Sequence, residues 1–330
     1  MRPPRSALLL LAVVLAACSP GASSPGASVP SGGLTKVTLL LGFRPDVQFA
    51  PFYLAQQKGY YTDAGLDVSI EFKQSPDVIR LVGDGRALVG VADATDVMIS
   101  RTSGIPVKYV STLYDRFPVA LIGRKGEVPS DPAGLKGKTI GTPGKFGSSW
   151  VALQALLRAG GLTVDDVMIR EYPQFNQADG LAHGDVDLIT GFRNNEPLRL
   201  ESQGIAVDQL TIDQIAPLPG PGIIAGDSTL TSSAGLVRAF AEATAKAQAD
   251  VIADPEAGVA AAEVAVPTIK EDRDAALAVL RATADLWKGD SGFSNGAIDM
   301  ERWRSAYDTM RELGFIDGSV PPDEMVAPAG

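Results

Sequence analysis

Hydrophobic positions along this 330-residue chain change period in blocks. An unbroken apolar run over residues 7–17 comes first. A stretch over 19–33 follows that is almost wholly Ser, Pro, Gly and Ala. From residue 36 onward, short apolar segments alternate with segments at helical spacing, the pattern of parallel α/β layers. A strand is predicted over 36–42, a helix near 50–58 and a strand over 65–70. The same order returns with a strand over 138–141, a helix near 148–159 and a strand at 166–169. Each unit continues through a helix and a Gly turn into one more strand, and each closes on Gly-Ile, at Gly104-Ile105 and Gly204-Ile205. With one inserted residue allowed, Asp96 falls opposite Glu196.

A unit repeated in this way predicts two similar α/β lobes. Strands over 107–123 and near 222–225 are the expected crossovers, making a two-segment hinge with a ligand cleft between the lobes. Residues 34–117 and 224–330 then form lobe 1, and residues 118–223 form lobe 2. After Ser228 the pattern turns helical. Leu236, Phe240, Ala243 and Ala247 keep one face, Asp254-Pro255 reads as an N-cap followed by proline at the first helical position, and Gly314 ends a helix that carries Trp303, Tyr307 and Met310. These helices are expected to pack back on lobe 1.

The first seventeen residues join Arg2 and Arg5 to the apolar run, the order of a secretory signal peptide. The run is too short to span a bilayer. Leu15-Ala16-Ala17-Cys18 resembles the bacterial lipobox, which implies a diacylglycerol anchor on Cys18, and residues 18–33 then serve as a flexible tether. Cys18 is the single cysteine, so no internal disulfide or cysteine-based metal site is possible. Removing Arg2 and Arg5 takes the formal net charge from −10 to −12. An acidic chain with no basic stripe excludes nucleic acid as an expected partner.

Open α/β sheets bind ligands at the carboxyl ends of their strands. The repeat therefore singles out the loops at 43–52, 93–96, 143–150 and 192–196, with the hinge edge at 113–118. Phe43, Phe49, Phe52, Tyr53, Phe146, Trp150 and Phe192 fall in or beside these loops, in a chain with only 6% aromatic residues. Opposed aromatic faces make a slot for a flat ring; for any one of them, lobe core is the competing fate, most of all for Phe52. Gln48, Asp93, Asp96, Asn194, Asn195 and Glu196 supply hydrogen-bonding groups, and Tyr114 and Asp115 sit at the hinge edge. The Gly-rich turn at 144–149 presents Phe146 and Ser148. It reads either as an anion-holding helix start with Lys145 or as a turn N-capped by Ser148. Arg44 and Arg193 would pair with an anionic ligand or face solvent beside a neutral one. The sandwich expected from these positions has Phe49 and Tyr53 on one side and Phe146 and Phe192 on the other, with Asp93 and Glu196 orienting the ring.

Gly42-Phe43-Arg44-Pro45-Asp46-Val47-Gln48-Phe49-Ala50-Pro51-Phe52-Tyr53-Leu54-Ala55, with Lys58-Gly59-Tyr60-Tyr61 and Gly65-Leu66-Asp67-Val68, is similar to the opening of SsuA/THI5-like (NMT1) solute receptors. Ile105-Pro106-Val107, Leu135-Lys136-Gly137-Lys138-Thr139-Ile140-Gly141 and Glu301-Arg302-Trp303 extend the likeness along the chain. The resemblance implies a periplasmic-binding-protein type II fold and a substrate-binding lipoprotein of an ABC importer. Phe49-Ala50-Pro51-Phe52-Tyr53, the 143–149 turn and Asn195-Glu196-Pro197 look most like the thiamine-pyrimidine and riboflavin receptor branches. The implied ligand is a flat heteroaromatic vitamin or precursor. The implied partners are ABC permease subunits, with membrane contact only through the lipid anchor, and the receptor is expected to be an extracytoplasmic monomer with no cofactor. An aliphatic sulfonate or taurine receptor is the alternative within the class. Eukaryotic enzymes of this family make the thiamine pyrimidine with a cysteine-rich iron motif, which this sequence lacks. Its one histidine, His183, stands at a predicted helix end with no catalytic set around it. Binding without chemistry is the expectation.

Overall fold

The structure is a computed structural model that describes residues 33–212, 215–289 and 292–329. The signal peptide, Cys18 and the tether up to residue 32 lie outside the described residues.

Ten strands form two five-stranded sheets. The first holds β1 (Thr35–Leu41), β2 (Leu66–Phe72), β3 (Val89–Ala92), β4 (Val107–Thr112) and β10 (Gly222–Gly226), in the order β2-β1-β3-β10-β4. The second holds β5 (Val119–Arg124), β6 (Thr139–Thr142), β7 (Met168–Glu171), β8 (Leu188–Phe192) and β9 (Val207–Thr211), in the order β7-β6-β8-β5-β9. In the first sheet β10 is antiparallel to both neighbours, and in the second β5 is. Each of these strands is the first to arrive from the other sheet, so the two sheets exchange one strand and are tied by two crossing segments. β3 and β10 are buried throughout, as strands covered on both faces must be, and they read as continuous apolar or small-residue runs.

Among the described residues eleven α-helices complete the layers: α1 (Ala50–Gln57), α2 (Tyr60–Asp63), α3 (Ser75–Gly83), α4 (Ala94–Thr102), α5 (Gly147–Ala159), α6 (Gln177–His183), α7 (Glu196–Ser202), α8 (Asp227–Ala253), α9 (Pro255–Ala265), α10 (Arg273–Lys288) and α11 (Met300–Glu312). The Asp254 carboxylate accepts from the Ala257 N–H and Pro255 opens α9, so the predicted cap is formed. α8 covers α1 and α2. Phe240 stacks on Tyr61 at 5.1 Å and lies 6.3 Å from Phe52, and the Tyr61 and Thr244 hydroxyls share a hydrogen bond of 2.8 Å. α11 sets Trp303 against Tyr109 at 5.1 Å, and a bridge from Val326 to Tyr109 covers the free edge of β4.

The crossing segments meet backbone to backbone, the Leu113 and Tyr114 N–H groups donating to the Pro221 carbonyl at 3.2 and 3.0 Å. Glycine on either side of Pro221 permits this. A Cβ on Gly220 would lie 2.5 Å from the Tyr114 carbonyl oxygen, and one on Gly222 would lie 2.2 Å from the Tyr109 ring. Arg302 of α11 donates to the Asp115 carbonyl and also faces its carboxylate, which fastens the first segment to lobe 1.

Candidate functional site

The loops that leave β1, β2 and β3 face those that leave β6, β7 and β8, and a cavity of about 100 Å3 lies between them. The predicted principle therefore holds: the cavity sits at the carboxyl ends of parallel strands from both sheets. The hinge closes one side with Tyr114 and Pro221.

Of the residues expected from the sequence, Phe43, Gln48, Phe49, Asp93, Tyr114, Phe146, Ser148, Phe192, Asn195 and Glu196 line this cavity. Three do not. Tyr53 lies one turn into α1 behind Phe49, buried in the lobe core, with a hydroxyl that has no hydrogen-bond partner. Burial pushes that phenol upward. Asp96 sits behind Asp93, and Arg44 turns over the face of Phe43 into a neighbouring groove, its guanidinium 5.5 Å from the ring centroid. Phe52 belongs to the core, as expected. Trp150 packs on the lobe 2 core and carries Lys145 over its ring at 6.0 Å.

Sequence reasoning overlooked the loops that follow β2 and β7, which contribute Ser75, Phe175 and Gln177. Phe175 has φ of +56°, a left-handed backbone that is uncommon for a bulky side chain. That backbone carries its ring from lobe 2 onto Phe43 of lobe 1, edge to face at 4.8 Å. The internal repeat held the signal for these loops, since strand ends two and seven are as equivalent as the pairs it did flag.

Six aromatic rings thus surround the space: Phe43, Phe49, Tyr114, Phe146, Phe175 and Phe192. Among the described residues no lysine or arginine lines it. Two buried polar atoms on its wall, Gln48 Oε1 and Gln177 Oε1, lack hydrogen-bond partners among the described residues, while the Ser148 side chain bonds to Asp93. Unpaired buried oxygens are costly, each about 1–3 kcal/mol, unless something that enters the cavity pairs with them.

The acidic groups are placed differently from their expected roles. Glu196 uses both oxygens internally: Oε2 accepts from the Phe192 N–H at 2.7 Å and Oε1 from Gln177 Nε2 at 3.1 Å. It braces the turn between β8 and α7, and burial raises its pKa. Asp93 Oδ2 accepts from the Ser148 N–H at 2.9 Å, across the cleft. Behind it, Asp96 Oδ2 accepts from the Ser75 hydroxyl at 2.9 Å. Burial raises both aspartates. Asp96 is pushed up to about 7 by burial first and then by the Asp93 charge, with the Ser75 hydroxyl and the Gly147 N–H partly offsetting this.

The lobes touch at further points. Arg199 pairs with Asp46 at 3.0 Å, and Asn194 Nδ2 donates to the Thr283 hydroxyl at 2.7 Å.

Two strand-exchanged α/β lobes around a cavity at their strand ends are the architecture of the periplasmic-binding-protein type II fold. The chain belongs to the NMT1/THI5-like family, whose model matches residues 46–258. It is 32% identical over 294 residues to the riboflavin-binding protein RibY of Chloroflexus aurantiacus, covering 87% of this chain and 83% of that protein. The 4-amino-5-hydroxymethyl-2-methylpyrimidine phosphate synthase THI13 of Saccharomyces cerevisiae is 30% identical over 234 residues, 67% of this chain and 68% of that one. Among solved structures, the alkanesulfonate-binding protein SsuA from Xanthomonas axonopodis pv. citri, bound to MOPS, superposes with a TM-score of 0.68 at 14% identity. That match covers 90% of this chain and all of the other. At that identity the likeness is one of fold.

Proposed function

We propose that the chain is the extracytoplasmic receptor of an ABC importer. It captures a flat, uncharged heteroaromatic, riboflavin or a thiamine pyrimidine precursor, between its two lobes and delivers it to the permease. A lipid on Cys18 would hold it at the membrane. The observation that carries this reading is the cavity wall: six aromatic rings, two unpartnered buried oxygens and, among the described residues, no cationic side chain. Rings favour a flat ligand through offset and edge contacts, each about 0.5–1.5 kcal/mol beyond burial. The oxygens need donors such as ring N–H or amino groups, which both candidate ligands carry. The RibY relative supports the flavin branch.

The mechanism follows from the two-lobed build. A ligand that contacts both walls stabilises the closed form by its differential affinity for it, and a permease would then read the paired lobe surfaces. Phe43, Phe49 and Tyr114 act from lobe 1 and the hinge, while Phe146, Phe175 and Phe192 act from lobe 2.

The sulfonate alternative asks for an arginine or lysine at the ligand; Arg44 faces the neighbouring groove, and neither Arg44 nor Arg193 is among the residues that line the cavity. The synthase alternative asks for chemistry. His183 ends α6 and does not line the cavity, and the sequence has one cysteine. Calorimetric titration with riboflavin, the thiamine pyrimidine and taurine tests the proposal. Binding of a heteroaromatic supports it, and binding of taurine alone overturns it.

A further inference from the structure

The meeting of Asp93 with the start of α5 carries a consequence for selectivity. α5 is thirteen residues long, and its first N–H groups point into the cleft beside the cavity. Such a terminus, reached through a Gly-rich turn, attracts anions through its unpaired N–H groups and its dipole. Here a carboxylate of the opposite lobe already occupies it: Asp93 Oδ2 holds the Ser148 N–H at 2.9 Å. Gly147 adopts φ of +70°, and a Cβ there would stand only 3.3 Å from Asp93 Oδ2 and 3.8 Å from Asp96 Oδ2. The backbone has been brought close to the two acids. Asp96 is fixed from behind by Ser75. Lys145, the cation of this turn, leans on Trp150. Beside the occupied N–H, the buried Ser148 side chain also bonds to Asp93, so the two residues are joined across the cleft at both groups.

We infer that Asp93 is a built-in carboxyl group that fills the α5 terminus and so sets the receptor against ligands bearing a sulfonate, phosphate or carboxylate at that end of the cavity. The inference rests on the cavity's being the ligand site, and it deepens that reading by defining the charge of the ligand. It also gives Asp93 a role other than orienting the ring. Asp93 makes the interlobe contact that an anionic ligand would otherwise make, and any anion brought to α5 must displace a carboxylate or lie beside it. The Ser148 N–H that would receive such an anion is already held by Asp93.

The test is titration of the wild type, Asp93→Ser and Asp93→Asn with taurine, MOPS and riboflavin, with thermal melts confirming that each variant is folded. The wild type should bind neither sulfonate. Asp93→Ser removes the carboxylate and frees the Ser148 N–H, so sulfonate affinity should rise by about 10-fold or more, the scale of an anion at a partly buried helix start. Asp93→Asn keeps the shape without the charge and should show a smaller gain of the same sign. Sulfonate binding by the wild type would overturn the inference. So would folded Asp93→Ser and Asp93→Asn proteins that remain as indifferent to sulfonates as the wild type. Riboflavin reports separately: its failure to bind the wild type counts against the heteroaromatic reading, and the sulfonate comparison still decides the role of Asp93.

Discussion

Phe49 and Tyr53 stand four residues apart, and the step between them separates a ligand wall from a core. Phe49 precedes α1 at the mouth of the cavity; Tyr53 is one turn inside, where its hydroxyl finds no partner. Tyr53→Phe should leave ligand affinity unchanged and preserve or raise stability, because it removes an unpaired buried hydroxyl. Phe146→Ala should weaken binding by at least about 1 kcal/mol, as expected of a stacking ring. Calorimetry on both variants checks the pair, and equal losses would place the ligand against α1 instead. Residue identities showed which side chains were available for the cavity. Their rotation was not readable, since one turn of helix or one outward-facing arginine decides whether a side chain lines the cavity or the next groove. Arg44 and Tyr53 are the two cases.

Asp96 gives a second expectation at this scale. Its folded pKa, about 7, lies above its ordinary 3.8, so between these values the native state binds the extra proton. Its contribution to stability is then full at acidic pH and is lost as pH rises toward 7. Asp96→Asn cannot titrate and retains an acceptor for Ser75. The wild type should therefore lose stability relative to this variant between about pH 4 and pH 7. Denaturation curves that run parallel across that range would contradict the assignment.

Among the elements, the strand–helix alternation and the caps were legible because period and turn chemistry are local. Asp254-Pro255, the Gly314 stop and the buried face of Trp303, Tyr307 and Met310 all formed as patterned. The loop after β7 was not legible. Nothing in Tyr172-Pro173-Gln174-Phe175 announces a left-handed phenylalanine, a conformation that long-range packing on Phe43 and Phe72 sustains. Phe43 and Phe175 join the lobes at the mouth of the cavity. In urea denaturation of the unliganded protein, a double-mutant cycle on Phe43→Ala and Phe175→Ala should show a coupling of about 0.5–1.5 kcal/mol. Strict additivity would mean that the rings do not meet in solution.

Across the whole molecule, the repeat carried more information than any motif. It implied two lobes and a cleft at their strand ends, and the two sheets with their exchanged antiparallel strands have that form. Which faces meet across the cleft was beyond its reach, because Asp93 on Ser148, Asp46 on Arg199 and Asn194 on Thr283 join positions 55, 153 and 89 residues apart. These contacts explain why a carboxylate that looked like a ligand reader serves as an interlobe tie. Glu196, the counterpart of Asp96 in the repeat, is instead consumed by its own turn.

The central claim is that the rings bind a flat, uncharged ligand. The most direct measurement is calorimetric titration of protein beginning at Ser19, unfolded and refolded to strip any carried ligand, with riboflavin, the thiamine pyrimidine and taurine. Saturable binding of one heteroaromatic with taurine silent is the predicted result. Taurine binding with both heteroaromatics silent would contradict the account and return the six rings to the lobe cores.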